Sequence, residues 1–134
     1  MTLQELQEHY LEDIKIEEET IDKQSIKLPI ILNKYQVYLH KILKELSLLH
    51  EKKSEIYHTI MYEYKIGNHK LAQIEWSSTD LKRIIETSVE MRKTQKDIDI
   101  LGADLRLVEE MINTFKTIGY QIRNYLDFQK LKGM

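Results

Sequence analysis

The chain has no cysteine, a single proline (Pro29) and only four glycines in 134 residues. It also has no apolar run approaching the ~18 residues of a membrane span. Without cysteine there is neither a disulfide nor a thiolate metal site, and a reducing compartment is compatible. The opening Met1-Thr2-Leu3-Gln4-Glu5 lacks the basic-then-apolar layout of a signal peptide, so the plain expectation is a cytoplasmic protein. The scarcity of proline and glycine leaves room for long uninterrupted helices. Charged residues make up 31% and the apolar class 42%, the balance of a helix-rich chain with wide solvated faces.

Two apolar stripes fill that room. One runs Leu32, Tyr35, Leu39, Ile42, Leu46, Leu49, Lys53, Ile56, Ile60, and the other Ile98, Leu101, Leu105, Val108, Ile112, Phe115, Gly119, Ile122, Leu126. Alternating steps of three and four residues are the seam of packed long helices, because they keep one line of side chains facing a partner helix. Lys53 and Gly119 are the only non-apolar members. The fold class expected is all-α: a long antiparallel helical hairpin with a short helix at each end, forming one domain over 1–134.

Local signals place the elements. Thr2 followed by Glu5 has the form of a capping box, opening a helix over 3–14. Pro29 fits the first turn of a long helix over 29–66, some ~55 Å of rod, closed at Gly67-Asn68. Ser78 or Thr79 can cap a second long helix over 80–118. Gly119 reads as a kink or stop, followed by a C-terminal helix over 120–131. Its stripe, Ile122, Tyr125, Leu126 and Gln129, has no evident partner within a two-helix hairpin and is expected to pack between subunits. Thin helical hairpins bury little surface per residue, so an oligomer is expected on that ground too.

Charge is unevenly placed behind the net −2. Residues 1–22 carry eight acidic side chains against Lys15, for −7, and residues 23–70 carry nine lysines against Glu45, Glu51, Glu55 and Glu63, for +5. A basic middle beside an acidic end points to a polyanion-binding surface with a separate or competing acidic element; ordinary solvated helix faces are the other reading.

No catalytic motif is present: no Gly-rich phosphate loop, no nucleophile elbow, no Cys nucleophile. The five histidines (9, 40, 50, 58 and 69) lack metal-ligand spacing. Neither an enzyme nor a cofactor is expected. What remains is basic and aromatic interleaving before and around Gly67: Lys52, Lys53, Tyr57, His58, Tyr64, Lys65 and Lys70, with Tyr62 and His69 among them. Single-strand binding uses cations for phosphates and flat side chains for bases. The alternative is that Tyr57 and Tyr64 pack against the other arm of the hairpin.

Several short segments, in order along nearly the whole chain, resemble the phage UvsY recombination mediator family. They are Leu3-Gln4-Glu5-Leu6-Gln7 with Asp13, Ser25-Ile26-Lys27-Leu28-Pro29, Lys34-Tyr35, and Tyr62-Glu63-Tyr64 with Gly67. The most specific is Tyr120-Gln121-Ile122-Arg123-Asn124 followed by Asp127-Phe128-Gln129-Lys130. The resemblance implies a non-enzymatic, helical protein that forms a ring-like homo-oligomer, a hexamer or heptamer, held largely through the region that is Tyr120–Leu131 here. It implies binding to single-stranded DNA, and partners that include a RecA-like recombinase and a single-strand-binding protein. The family's basic pair falls at Thr59 and Met61, or with a one-residue shift at His58 and Ile60. Lys52, Lys53, Lys65 and Lys70 are the candidate substitutes. The function expected is a recombination mediator that helps load the recombinase onto covered strands. The rival is a structural coiled-coil or virion scaffold without nucleic-acid affinity.

Overall fold

The structure, a computed structural model, describes residues 1–15, 21–67 and 75–133. They form four helices and no strand: α1 (Leu3–Asp13), α2 (Ile21–Lys65), α3 (Ser78–Glu86) and α4 (Val89–Lys132). The chain divides into two compact units: Met1–Ile42 with Asp104–Met134, and Leu43–Ala103. None of the described helices is long and apolar enough to cross a membrane.

In the first unit, α1 and the N-terminal part of α2 pack with the C-terminal part of α4. Thr2 and Glu5 form the capping box in both directions: the Thr2 hydroxyl accepts from the Glu5 N–H, and the Glu5 carboxylate accepts from the Thr2 N–H. Leu6, Tyr35, Val108 and Phe115 are fully buried. Tyr10, Tyr35 and Phe115 form a ring cluster, with Tyr10 edge-on to Phe115 at 5.6 Å and Tyr35 tilted on Phe115 at 4.7 Å. Such pairs add about 0.5–1.5 kcal/mol each beyond the area they bury. The Tyr35 hydroxyl donates to Asp13 Oδ2 at 2.9 Å, and Lys34 Nζ donates to the same oxygen at 2.6 Å. One carboxylate thus anchors the end of α1 to α2.

The second unit holds the middle of α2, α3 and the start of α4. Ile60, Leu81, Ile85 and Met91 form its core, with Ile56, Tyr57, Met61, Tyr64 and Trp76 packed around them. Every residue of both stripes is buried or half-buried in its unit.

The boundaries depart from those expected at three places. First, α2 begins at Ile21, and Pro29 lies inside it. Proline lacks an N–H, so the Ser25 carbonyl loses its helical donor, yet the helix continues because Ser25 and Leu28 are half-buried against the rest of the first unit. Second, α4 runs through Gly119 to Lys132 without a stop. This glycine serves close approach: a Cβ there would stand 3.1 Å from Leu28 Cδ2. Third, the expected helix over 80–118 is broken at Thr87-Ser88. The Thr87 hydroxyl donates to the Ile84 carbonyl, and the Ser88 hydroxyl accepts from the Met91 N–H, so a β-branched residue ends α3 and a serine opens α4. The cap of α3 is Ser77, whose hydroxyl accepts from the Asp80 N–H, in place of Ser78 or Thr79. Gly67, just after α2, has φ +82°, the left-handed conformation expected of a helix stop.

Candidate nucleic-acid interface

The basic and aromatic residues expected at a strand-binding surface lie in the second unit, apart from Lys70, which falls outside the described residues. Exposure sorts them. Lys52, His58 and Lys65 face solvent on α2. Lys53 is half-buried, and its ammonium donates to Gln95 Oε1 at 2.6 Å, while the Gln95 amide donates to Asp99 Oδ1 at 2.8 Å. That chain of bonds is how a cation is accommodated in an otherwise apolar seam: its charge meets an oriented amide dipole backed by a carboxylate.

The tyrosines divide the same way. Tyr57 and Tyr64 pack against the Ile60–Leu81–Ile85–Met91 core, and the Tyr64 oxygen accepts from the Trp76 N–H at 3.3 Å. Their rings hold the junction between the end of α2 and the segment entering α3. Tyr62, by contrast, is 65% exposed. It lies four residues after His58 and three before Lys65, so helical geometry puts the three side chains on one face. Tyr62 is therefore the ring available for stacking.

Lys52 does not share that face. Six residues along an α-helix turn the side-chain direction by about 120° relative to His58. Lys52 lines instead a groove of about 760 Å³ bordered by Ile56, Ile60, Ile85 and Arg92, with the Thr87–Ser88 break in its wall. Arg92 was not among the residues expected. It faces the groove because α4 begins anew at Ser88, a cap hidden within what reads as a continuous helix. Glu55, Glu63 and Glu90 line the same groove. Two cations among three carboxylates make the groove interior a poor phosphate channel, whereas Lys52 at its rim is open to solvent.

The C-terminal stripe sits in the first unit and is partly satisfied within one chain. Ile122 is buried, Tyr125 and Leu126 are half-buried, and Gln129 is exposed. Ile122, Leu126 and Gln129 line a groove of about 710 Å³ together with Ser25, Leu28 and Pro29. The expectation that this stripe lacks a partner in its own chain is corrected by the extra turns of α2 before Pro29, which stand opposite it. The large apolar side chains left open on this part of α4 are Tyr120, Phe128 and Leu131, each at least 60% exposed. Arg123 lies over the Tyr120 ring, 5.8 Å from its centroid.

Among the described residues, no group of histidines and carboxylates is arranged to hold a metal ion.

Comparisons with known proteins match the fold. Crystal structures of the bacteriophage T4 recombination mediator protein UvsY, in three lattice types, superpose with TM-scores of 0.77 (17% identity, covering 98% of this chain and 99% of that one), 0.79 (16%, 100% and 99%) and 0.77 (15%, 96% and 98%). At such identities the likeness establishes a shared fold. No curated protein sequence matches the chain. The model of the family described as "Recombination, repair and ssDNA binding protein UvsY" matches residues 9–133, nearly the full length. The chain belongs to the UvsY family.

Proposed function

We propose that this protein is a recombination mediator that binds single-stranded DNA through the second unit and helps a RecA-like recombinase assemble on strands covered by a single-strand-binding protein. The observation that carries the reading is membership of a family described by recombination, repair and single-stranded DNA binding, in a chain that exposes cations and an aromatic ring together. His58, Tyr62 and Lys65 supply a charge–ring–charge row on α2. Lys52, open at the rim of the groove, supplies a further phosphate contact, with Lys70 a candidate beyond Gly67. Lys53, Tyr57 and Tyr64 act as supports that fix the shape of this surface.

The proposed strand surface has only a few open cations in each subunit, so useful affinity requires several subunits acting on one strand. Linked weak sites bind at an effective concentration in the millimolar range and gain roughly 10²–10⁴ in avidity without new contacts. We propose that copies join through the C-terminal part of α4, with Tyr120, Phe128 and Leu131 reaching the neighbouring copy and Tyr125, Leu126 and Gln129 at the margin, into a hexameric or heptameric ring. A strand drawn along such a ring is held away from its covering protein, which favours nucleation of the recombinase. The chemistry is binding alone, with no catalytic residue and no cofactor.

The experiment is light scattering with and without an oligothymidylate. A particle of several subunits that takes up one strand supports the reading. An intact oligomer with no affinity for the strand favours the scaffold alternative.

A further inference from the structure

The outer face of α2 in the first unit carries a second pattern that strand binding does not use. Ile26, Ile30 and Val37 are 75%, 72% and 61% exposed. Their spacing places them within about 40° of one another around the helix, on the side opposite the buried seam of Leu32, Tyr35, Leu39 and Ile42. Lys23, Lys27 and Lys41 are exposed beside them, and the stretch from Lys23 to Ile42 contains four lysines and no acidic residue. A row of branched aliphatic side chains left in water and bordered by charge of one sign marks an interaction surface.

Two further observations define the face. Val37 lies in a hollow of about 330 Å³ shared with Met1, Tyr38, Lys34 and Lys41, so an apolar wall meets ammonium groups at its edge. Moreover, Lys34, the fourth lysine of the row, is already engaged by a carboxylate, Asp13 of α1, at 2.6 Å. Asp13 also accepts from the buried Tyr35 hydroxyl, so that ion pair belongs to the packed side of α2, and the charges the open face offers are Lys23, Lys27 and Lys41. Phosphodiester strands match it less well, since they bring no aliphatic groups and use flat rings for stacking, which Ile26, Ile30 and Val37 lack.

We propose that this face docks an acidic amphipathic segment of a partner protein. Its aliphatic side chains sit on Ile26, Ile30 and Val37, and its carboxylates meet Lys23, Lys27 and Lys41. This is the helix-on-groove mode, in which anchors recur every three or four residues and flanking charge sets specificity. The inference goes beyond the strand-binding reading and does not depend on it, because it stands on a different unit and different residues.

The test uses the full chain and a fluorescein-labelled synthetic peptide of leucine and glutamate in an amphipathic helical pattern. A scrambled peptide of equal composition and an oligothymidylate serve as competitors, with anisotropy as the readout. The patterned peptide is expected to bind, the scrambled one to bind at least about tenfold more weakly, and Ile30→Ser with Val37→Ser to abolish the difference. Lys27→Glu with Lys41→Glu is expected to weaken the patterned peptide while leaving oligothymidylate affinity unchanged. Both pairs lie at exposed positions, and unchanged circular dichroism verifies the fold. Equal binding of the two peptides, or serine substitutions without effect, overturns the proposal. So does displacement of the peptide by oligothymidylate at matching concentrations, which makes the face a strand surface. A fall in sedimenting mass of the serine variant also overturns it, by making the face a contact between copies of this chain.

Discussion

Gly119 of α4 faces Leu28 of α2 so closely that a Cβ on the glycine would stand 3.1 Å from the leucine Cδ2. The contact pairs a residue expected to end one helix with a residue expected to precede another. It explains both departures at once: α4 continues past Gly119 because α2, extended back to Ile21, gives it something to lie against. The groove lined by Leu28, Pro29, Gly119 and Ile122 is a product of the same approach.

The obstruction at Gly119 is the far end of a flexible side chain beside that groove, so a methyl group is accommodated by a small shift of Leu28. Alanine also favours helix over glycine by about 1 kcal/mol. Gly119→Ala is expected to raise stability by up to about 1 kcal/mol, whereas Gly119→Leu pushes the helices apart and lowers it by about 1–3 kcal/mol. Urea unfolding at one fixed protein concentration measures both; a large loss for the alanine variant contradicts the packing described.

Pro29 sits inside α2, exposed at the edge of the groove it lines, and leaves the Ser25 carbonyl without its helical hydrogen bond. Interior proline costs a helix about 3 kcal/mol. Pro29→Ala is expected to stabilise the protein by about 1–3 kcal/mol in the same assay. No gain, or a loss, means that α2 does not run continuously through this position.

The Tyr35 hydroxyl is pushed well above the ordinary tyrosine range, first by burial, then by its hydrogen bond to Asp13 and the charges of Asp13 and Tyr10. A folded-state value raised above the unfolded one means that the neutral phenol stabilises the fold. That contribution is complete below about pH 10 and is lost as pH rises beyond it. The protein is therefore expected to lose stability above about pH 10, and Tyr35→Phe to flatten that alkaline decline. Asp13→Ala, which strands the buried hydroxyl and leaves the Lys34 ammonium with His9 alone, is expected to cost about 1–3 kcal/mol at neutral pH. An alkaline limb unchanged in Tyr35→Phe contradicts the assignment.

Neighbouring lysines separate by role. Lys52 is open and Lys53 is held by Gln95, so Lys52→Ala is expected to weaken strand binding and reduce the salt slope by about one unit. Lys53→Met is expected to alter thermal stability while leaving the salt slope near its original value. Filter binding over a salt series reads the slopes, and a larger strand effect at Lys53 than at Lys52 contradicts the division.

Much of this was legible from residue spacing. The three–four alternation named the buried line of both long helices, and Thr2 with Glu5 named a cap, because both signals are local. Legibility ended where a residue's role depends on another element. Gly119 has the same composition as a helix stop and is read as one until Leu28 is placed beside it. Ser88 is a cap that an uninterrupted polar face conceals. Tyr57, Tyr62 and Tyr64 are indistinguishable as residue types, and only the position of Leu81, Ile85, Met91 and Trp76 decides which ring stays open. Ile122 joined a stripe that lacked a partner only because the turns before Pro29 were not counted as helix.

The central claim is that the second unit binds single-stranded DNA through open cations and a stacking ring. Its most direct measurement is the affinity of the full-length protein for an oligothymidylate across a salt series, with duplex DNA of equal length as the comparison, for the parent and for Lys52→Ala with Tyr62→Ala. The account predicts preference for the single strand, a steep linear fall of log affinity with log salt, and a clear loss in the double variant with a shallower slope. Affinity indifferent to salt, or a double variant that binds as tightly as the parent, contradicts it.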